Sequence, residues 1–112
     1  IYEKAFGRWH AEVGFVATNL AALEHGRGRL AEAEQLYREG LRVLARALGH
    51  THPHIAMATH NFGLLRLVQG HTREAERLLA RAFRAATRSL GQRHPDAAWF
   101  REDLRSVRLH KR

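Results

Sequence analysis

Residues 12–53 laid over residues 54–95 agree without a gap at thirteen positions, a repeat of forty-two residues that governs what this chain can fold into. Among the shared positions are Asn19/Asn61, Gly28/Gly70, Glu32/Glu74, Arg42/Arg84, Leu48/Leu90 and Gly49/Gly91. The only two prolines, Pro53 and Pro95, fall in one column, and His52 and His94 precede them in another. Self-similarity of this kind marks a stacked array, in which a single unit cannot bury its apolar face and leans on its neighbour. A worn copy of the junction, Phe6-Gly7 followed by His10, precedes the first unit, and a third unit opens at Pro95.

Each full unit reads as two helices. In the second helix of the first unit, Ala33, Leu36, Tyr37, Gly40, Leu41, Leu44 and Leu48 keep the three-to-four spacing of one buried stripe. The second unit repeats it with Ala75, Leu78, Leu79, Ala82, Phe83, Ala86 and Leu90. Small residues at Ala33, Gly40, Ala75 and Ala82 allow neighbouring axes to approach. Gly49 and Gly91 sit where a left-handed C-cap is expected, and Pro53 and Pro95 suit the first turn of the next helix. His52 and His94 then stand at the N-cap, where a neutral imidazole nitrogen can accept a backbone N–H. Gly28 and Gly70 mark the turns inside the units. The spacing predicts helices over residues 11–26, 30–48, 53–69, 72–90 and 95–110. Segment 1–7 reads as the end of a preceding helix, 11–52 and 53–94 as two repeats, and 95–112 as a capping helix that ends the array.

Composition narrows the function classes. With no cysteine, disulfide frameworks and thiolate metal sites are excluded. No apolar run is long enough to span a bilayer and no signal-peptide pattern opens the chain, so an intracellular, cytoplasmic setting is expected. A start at Ile1 instead of Met is read as an internal or processed end. The net charge is +8, and seventeen of the nineteen basic residues are arginine, which makes acidic partners worth weighing.

The alternating His50, His52 and His54 invite a metal reading. Only the His52 column returns in the second repeat, however, and a zinc or copper site needs convergent ligands with further support behind them. We therefore read these histidines as structural, with no metal or other cofactor expected. Nothing resembles a nucleophile–base pair, a phosphate-cradling glycine loop or a paired-carboxylate site, and no enzyme is expected. Asn19 and Asn61 are different: asparagine is a mediocre helix former, and its return at one position of both first helices suggests contact with a ligand. Arg73, Arg77, Arg81, Arg84 and Arg88 share one narrow helical face. A solvated outer face is the default account of such a stripe, because no aromatic platforms interleave it as in nucleic-acid surfaces.

The stretch from Ala17 to Pro53 resembles a tetratricopeptide repeat in the forty-two-residue form of the kinesin light chains. Its marks are Asn19-Leu20-Ala21, Gly28, Glu32-Ala33-Glu34, Leu36-Tyr37 and the closing Leu-Gly-x-x-His-Pro, and the second unit matches through Asn61-Phe62-Gly63, Gly70 and Glu74-Ala75-Glu76. The resemblance implies an all-α solenoid, a right-handed superhelix of antiparallel helix pairs whose first helices line a concave groove for a partner peptide. Carried over by position, Phe15, Thr18, Asn19, Ala22, Met57, His60, Asn61, Leu64 and Trp99 line that groove, continued by Glu102, Asp103 and Ser106. The asparagines fall where family members hydrogen-bond the ligand backbone. Two departures stand out. Glu24 and Arg66 replace an aromatic of the pattern, and are expected to form an ion pair with each other. Thr18, His60, Glu102 and Asp103 occupy the places of a basic set that clamps a terminal carboxylate in some relatives, so that activity is not expected. The expected role is a protein-binding or scaffold module for a partner segment, acidic by the charge balance. The alternatives are a nucleic-acid-binding surface on the outer arginines Arg77, Arg81, Arg84 and Arg88, or a structural subunit of a larger assembly.

Overall fold

Histidine and proline together start a helix at each repeat junction. The Nδ1 of His52 accepts the backbone N–H of His54 at 3.1 Å, and the Nδ1 of His94 accepts that of Asp96 at the same distance. His52 holds the extended backbone of an N-cap, and the proline that follows has no N–H to leave unpaired. The computed structural model in which these contacts occur describes the backbone of residues 2–110 and the side chains of residues 10–110. Five helices follow one another: α1 (Tyr2–Gly26), α2 (Leu30–Leu48), α3 (Pro53–Val68), α4 (Thr72–Leu90) and α5 (Pro95–His110). Among the described residues there is no strand, so the all-α expectation holds.

Two local expectations are corrected. First, α1 runs unbroken through Phe6–His10, where a junction was expected. That copy carries Ala11 in the proline column, and alanine keeps its N–H and leaves the preceding residue free to stay helical. Second, Gly49 and Gly91 do have positive φ, at 82° and 93°, but their ψ values of 174° and 157° are extended. This is not the left-handed helical cap. It is a region that glycine alone enters without strain, and it turns the chain sharply out of the helix.

The chain divides into two compact units, residues 1–49 and 50–112. The first is the α1–α2 hairpin. Its helices come close because Gly40 faces the side chains of Ala17 and Thr18, where an added Cβ would lie 2.7 Å from Thr18 Cγ2. Ala21, Ala33, Tyr37 and Leu44 fill the core, and burial pushes the Tyr37 hydroxyl up to about 12. Of the expected α2 stripe, only Leu48 at the helix end is exposed.

The second unit packs α3 and α5 against α4. Ala56, Ala82, Ala86, Ala97 and Phe100 form one buried cluster, and Leu79, Ala80, Leu104 and Val107 a second, with Phe83 touching both. The apolar face expected for α5 (Ala97, Phe100, Leu104, Val107) is therefore the face it buries. Among its exposed residues are Arg101, Arg105 and Arg108, while Arg112 lies outside the described residues. Among the described residues no helix is long and apolar enough to cross a membrane.

Candidate functional site

Met57, Asn61 and Leu64 are spaced four and three residues apart on α3 and so share one face, where each is half-buried. Beside them on α5, Trp99 leaves 45% of its surface open, and Asp103 follows it one turn later. Between the two helices lies His60, with no exposed surface at all. Its Nε2 is 2.9 Å from Asp103 Oδ2, and its ring stacks on Phe100 with centroids 4.0 Å apart and planes 9° from parallel. Trp99 tilts against the same imidazole at 4.8 Å.

Electrostatics set the protonation of this cluster. Burial lowers the His60 pKa below its ordinary value, and the hydrogen bond and charge of Asp103 oppose that shift without cancelling it. The ring is therefore neutral at pH 7, with Nε2–H donating to the carboxylate. Its Nδ1 has no hydrogen-bond partner among the described residues. The outcome is a fixed platform: Phe100 beneath the imidazole, Asp103 held in one orientation, and Trp99 presented outward.

On α1, Phe15, Asn19 and Ala22 repeat the same spacing, Phe15 half-buried and the other two exposed. Two residues expected at the groove surface have almost no surface to offer. Thr18 is 3% exposed, with its hydroxyl donating to the Phe15 carbonyl at 3.2 Å, and His60 is fully buried. Both sit on first-helix positions that turn towards neighbouring helices rather than solvent. The His60–Asp103 bond itself was missed. Its one trace in the sequence is that Asp103 occupies the asparagine column of the third unit, one turn beyond Trp99.

Glu24 and Arg66, expected to pair with each other, each have partners inside their own repeat. Glu24 accepts from Arg27 Nη1 at 3.4 Å and Arg29 Nη1 at 3.5 Å, while Arg66 donates to Glu74 at 2.8 Å and Gln69 at 2.9 Å. A charge at this column sits at the end of the first helix, within reach of the turn that follows, and braces it. Among the described residues no group of three or more histidine, aspartate or glutamate side chains is placed to hold a metal ion. Arg77, Arg81, Arg84 and Arg88 are all exposed on α4.

Two helical hairpins that share one forty-two-residue sequence repeat, followed by a further helix, define a helical-repeat protein as the class. The chain belongs to the tetratricopeptide repeat family, whose model matches residues 12–88. Repeats of this family mediate protein–protein interaction and scaffolding, and are typically non-catalytic. No curated protein matches the chain.

Proposed function

We propose that this chain is a protein-binding module of the forty-two-residue, kinesin-light-chain-like type, and that the outward faces of its first helices receive an acidic segment of a partner protein without catalysis. The observation that carries this reading is the face of the second unit. There Asn61 offers a donor and an acceptor beside half-buried Met57 and Leu64, and Trp99 offers a large apolar surface held in place by the His60–Asp103 pair. Tryptophan supplies contact area at little entropic cost, and asparagine can pair with both groups of a peptide unit. On α1, Asn19 and Phe15 provide the same chemistry. The charge of +8 steers acidic segments towards the molecule and speeds encounter.

Selection from a random peptide library displayed on phage tests the reading. Selected peptides should be rich in Asp and Glu, and Asn19→Ala with Asn61→Ala should weaken them by about 1–3 kcal/mol through lost peptide hydrogen bonds. Selection of neutral or basic peptides indifferent to both asparagines would sink it. The exposed arginines of α4 support a second reading, a nucleic-acid surface on the same fold, whose mark is a steep salt slope without sequence preference.

A further inference from the structure

Among the described residues, Arg27 and Arg29 hold Glu24, Arg38 holds Glu34, Arg66 holds Glu74 and Arg108 holds Glu76. Three others gather where no carboxylate is present. Between α4 and α5 lies a cleft of about 390 Å³, lined by Phe83, Arg84, Thr87, Arg88, Gln92 and Arg101. Three of its lining residues are arginines, from two helices, and none is acidic. Among the described residues, none of Arg84, Arg88 and Arg101 has an ion-pair partner.

We propose that this cleft binds a phosphoryl group carried on a side chain of a partner protein. Arg84 and Arg88 stand one turn apart, so their like charges repel and favour a shared anion. Arg101 adds a third charge from the second helix. A phosphorylated serine, threonine or tyrosine brings about −1.5 to −2 charges and three acceptor oxygens, which matches three planar forks of donors better than a single carboxylate does. Gln92 adds an amide donor at the rim, and half-buried Phe83 gives the carbon chain of the ligand an apolar wall. The Thr87 hydroxyl donates to the Phe83 carbonyl at 2.8 Å, so its oxygen turns lone pairs rather than a proton towards the cleft. The positive charge there comes from the arginines alone.

A protein ligand fits these observations better than a nucleic-acid strand. A strand would follow the α4 stripe through Arg77 and Arg81 as well and would look for stacking platforms. The cleft instead concentrates charge at one point, and Arg101 lies off the stripe on another helix. The site is also separate from the face that carries Trp99: two residues apart on α5, Trp99 and Arg101 point about 200° apart around the axis. In the preceding repeat the arginine columns persist as Arg42 and Arg46, but the Arg101 column holds Thr59. The third charge belongs to this one place.

Fluorescence anisotropy tests the proposal with three degenerate peptide pools that differ only at a central phosphoserine, serine or glutamate. The phosphoserine pool should bind the intact chain at least tenfold more tightly than the serine pool and clearly more tightly than the glutamate pool. Arg101→Gln should weaken it about fivefold, and Arg84→Gln with Arg88→Gln further, while Arg77→Gln with Arg81→Gln stays within about twofold. All these side chains are exposed on helices, so the variants keep the fold, as circular dichroism will verify. Equal binding of the phosphoserine and serine or glutamate pools overturns the proposal. So does an equal loss in the Arg77/Arg81 variant, or preference for a twelve-nucleotide polyuridine over the phosphoserine pool.

Discussion

Asp103 closes the second unit from α5 to α3 through one hydrogen bond, to an imidazole with no exposed surface. Removing the carboxylate leaves a buried Nε2–H unpaired, which costs more than the bond contributes on net. Asp103→Leu should therefore destabilise the protein by about 1–3 kcal/mol in urea unfolding, and His60→Phe combined with Asp103→Leu should recover part of that loss. A double variant no more stable than Asp103→Leu alone would show that the bond is not the cause. His60 and His54 set a pH dependence. The folded pKa of His60 is depressed, chiefly by burial, and that of His54 is depressed by burial and by His52. The unfolded chain thus binds more protons below about pH 6.5, so stability is full above that value and falls as the pH drops towards the folded pKa values. Melting temperature should decline from pH 7 to pH 5, and the slope should be shallower in His60→Phe. The histidine caps were legible in the sequence because a cap is local, three residues of a repeated motif. The His60–Asp103 bond was not, because it joins residues forty-three apart and occurs once. Burial of Thr18 and His60 was hidden for a related reason: spacing gives the face of a helix, not how far its neighbour leans over that face.

Helix α5 shows what an element contributes. Its buried face covers Leu79 and Phe83 of α4, and Arg108 reaches Glu76 on α4 at 3.0 Å. Removing residues from Asp96 onward should uncover that apolar surface and cause aggregation, seen as loss of the monomer peak in size-exclusion chromatography. A truncated chain that stays monomeric with an unchanged melting temperature would contradict this. Helix α1 presents the opposite case. Val13, Val16, Leu20 and Leu23 form a helical stripe that is 42–63% exposed, whereas their column mates Ile55, Ala58, Phe62 and Leu65 are at most 5% exposed. A stripe of this kind promotes association. Val16→Glu with Leu20→Glu should leave thermal stability within about 0.5 kcal/mol in heat unfolding, as for other surface changes. Four of the five helices were legible to within a residue, because glycine, histidine and proline punctuate both ends of the repeat. The fifth, α1, was misjudged at its start, where alanine replaces the proline and the punctuation loses its force.

At the scale of the molecule, the forty-two-residue register made the all-α hairpin architecture legible before any contact was known. It could not show how charges are used. Arg66 braces a turn, Arg108 ties α5 to α4, and Arg84, Arg88 and Arg101 gather around a cleft, although all are arginines of one basic chain. What separates them is the neighbouring carboxylate, which comes from another helix or turn. Amide chemical-shift mapping with an acidic peptide selected on this chain tests the proposal that partners meet the outward faces of the first helices. Shifts should concentrate at Asn19, Met57, Asn61, Leu64 and the Trp99 indole, and binding should weaken modestly as salt rises. Shifts confined to the outer face of α4, with those residues unmoved and the asparagine double variant binding as tightly as the parent, would contradict it.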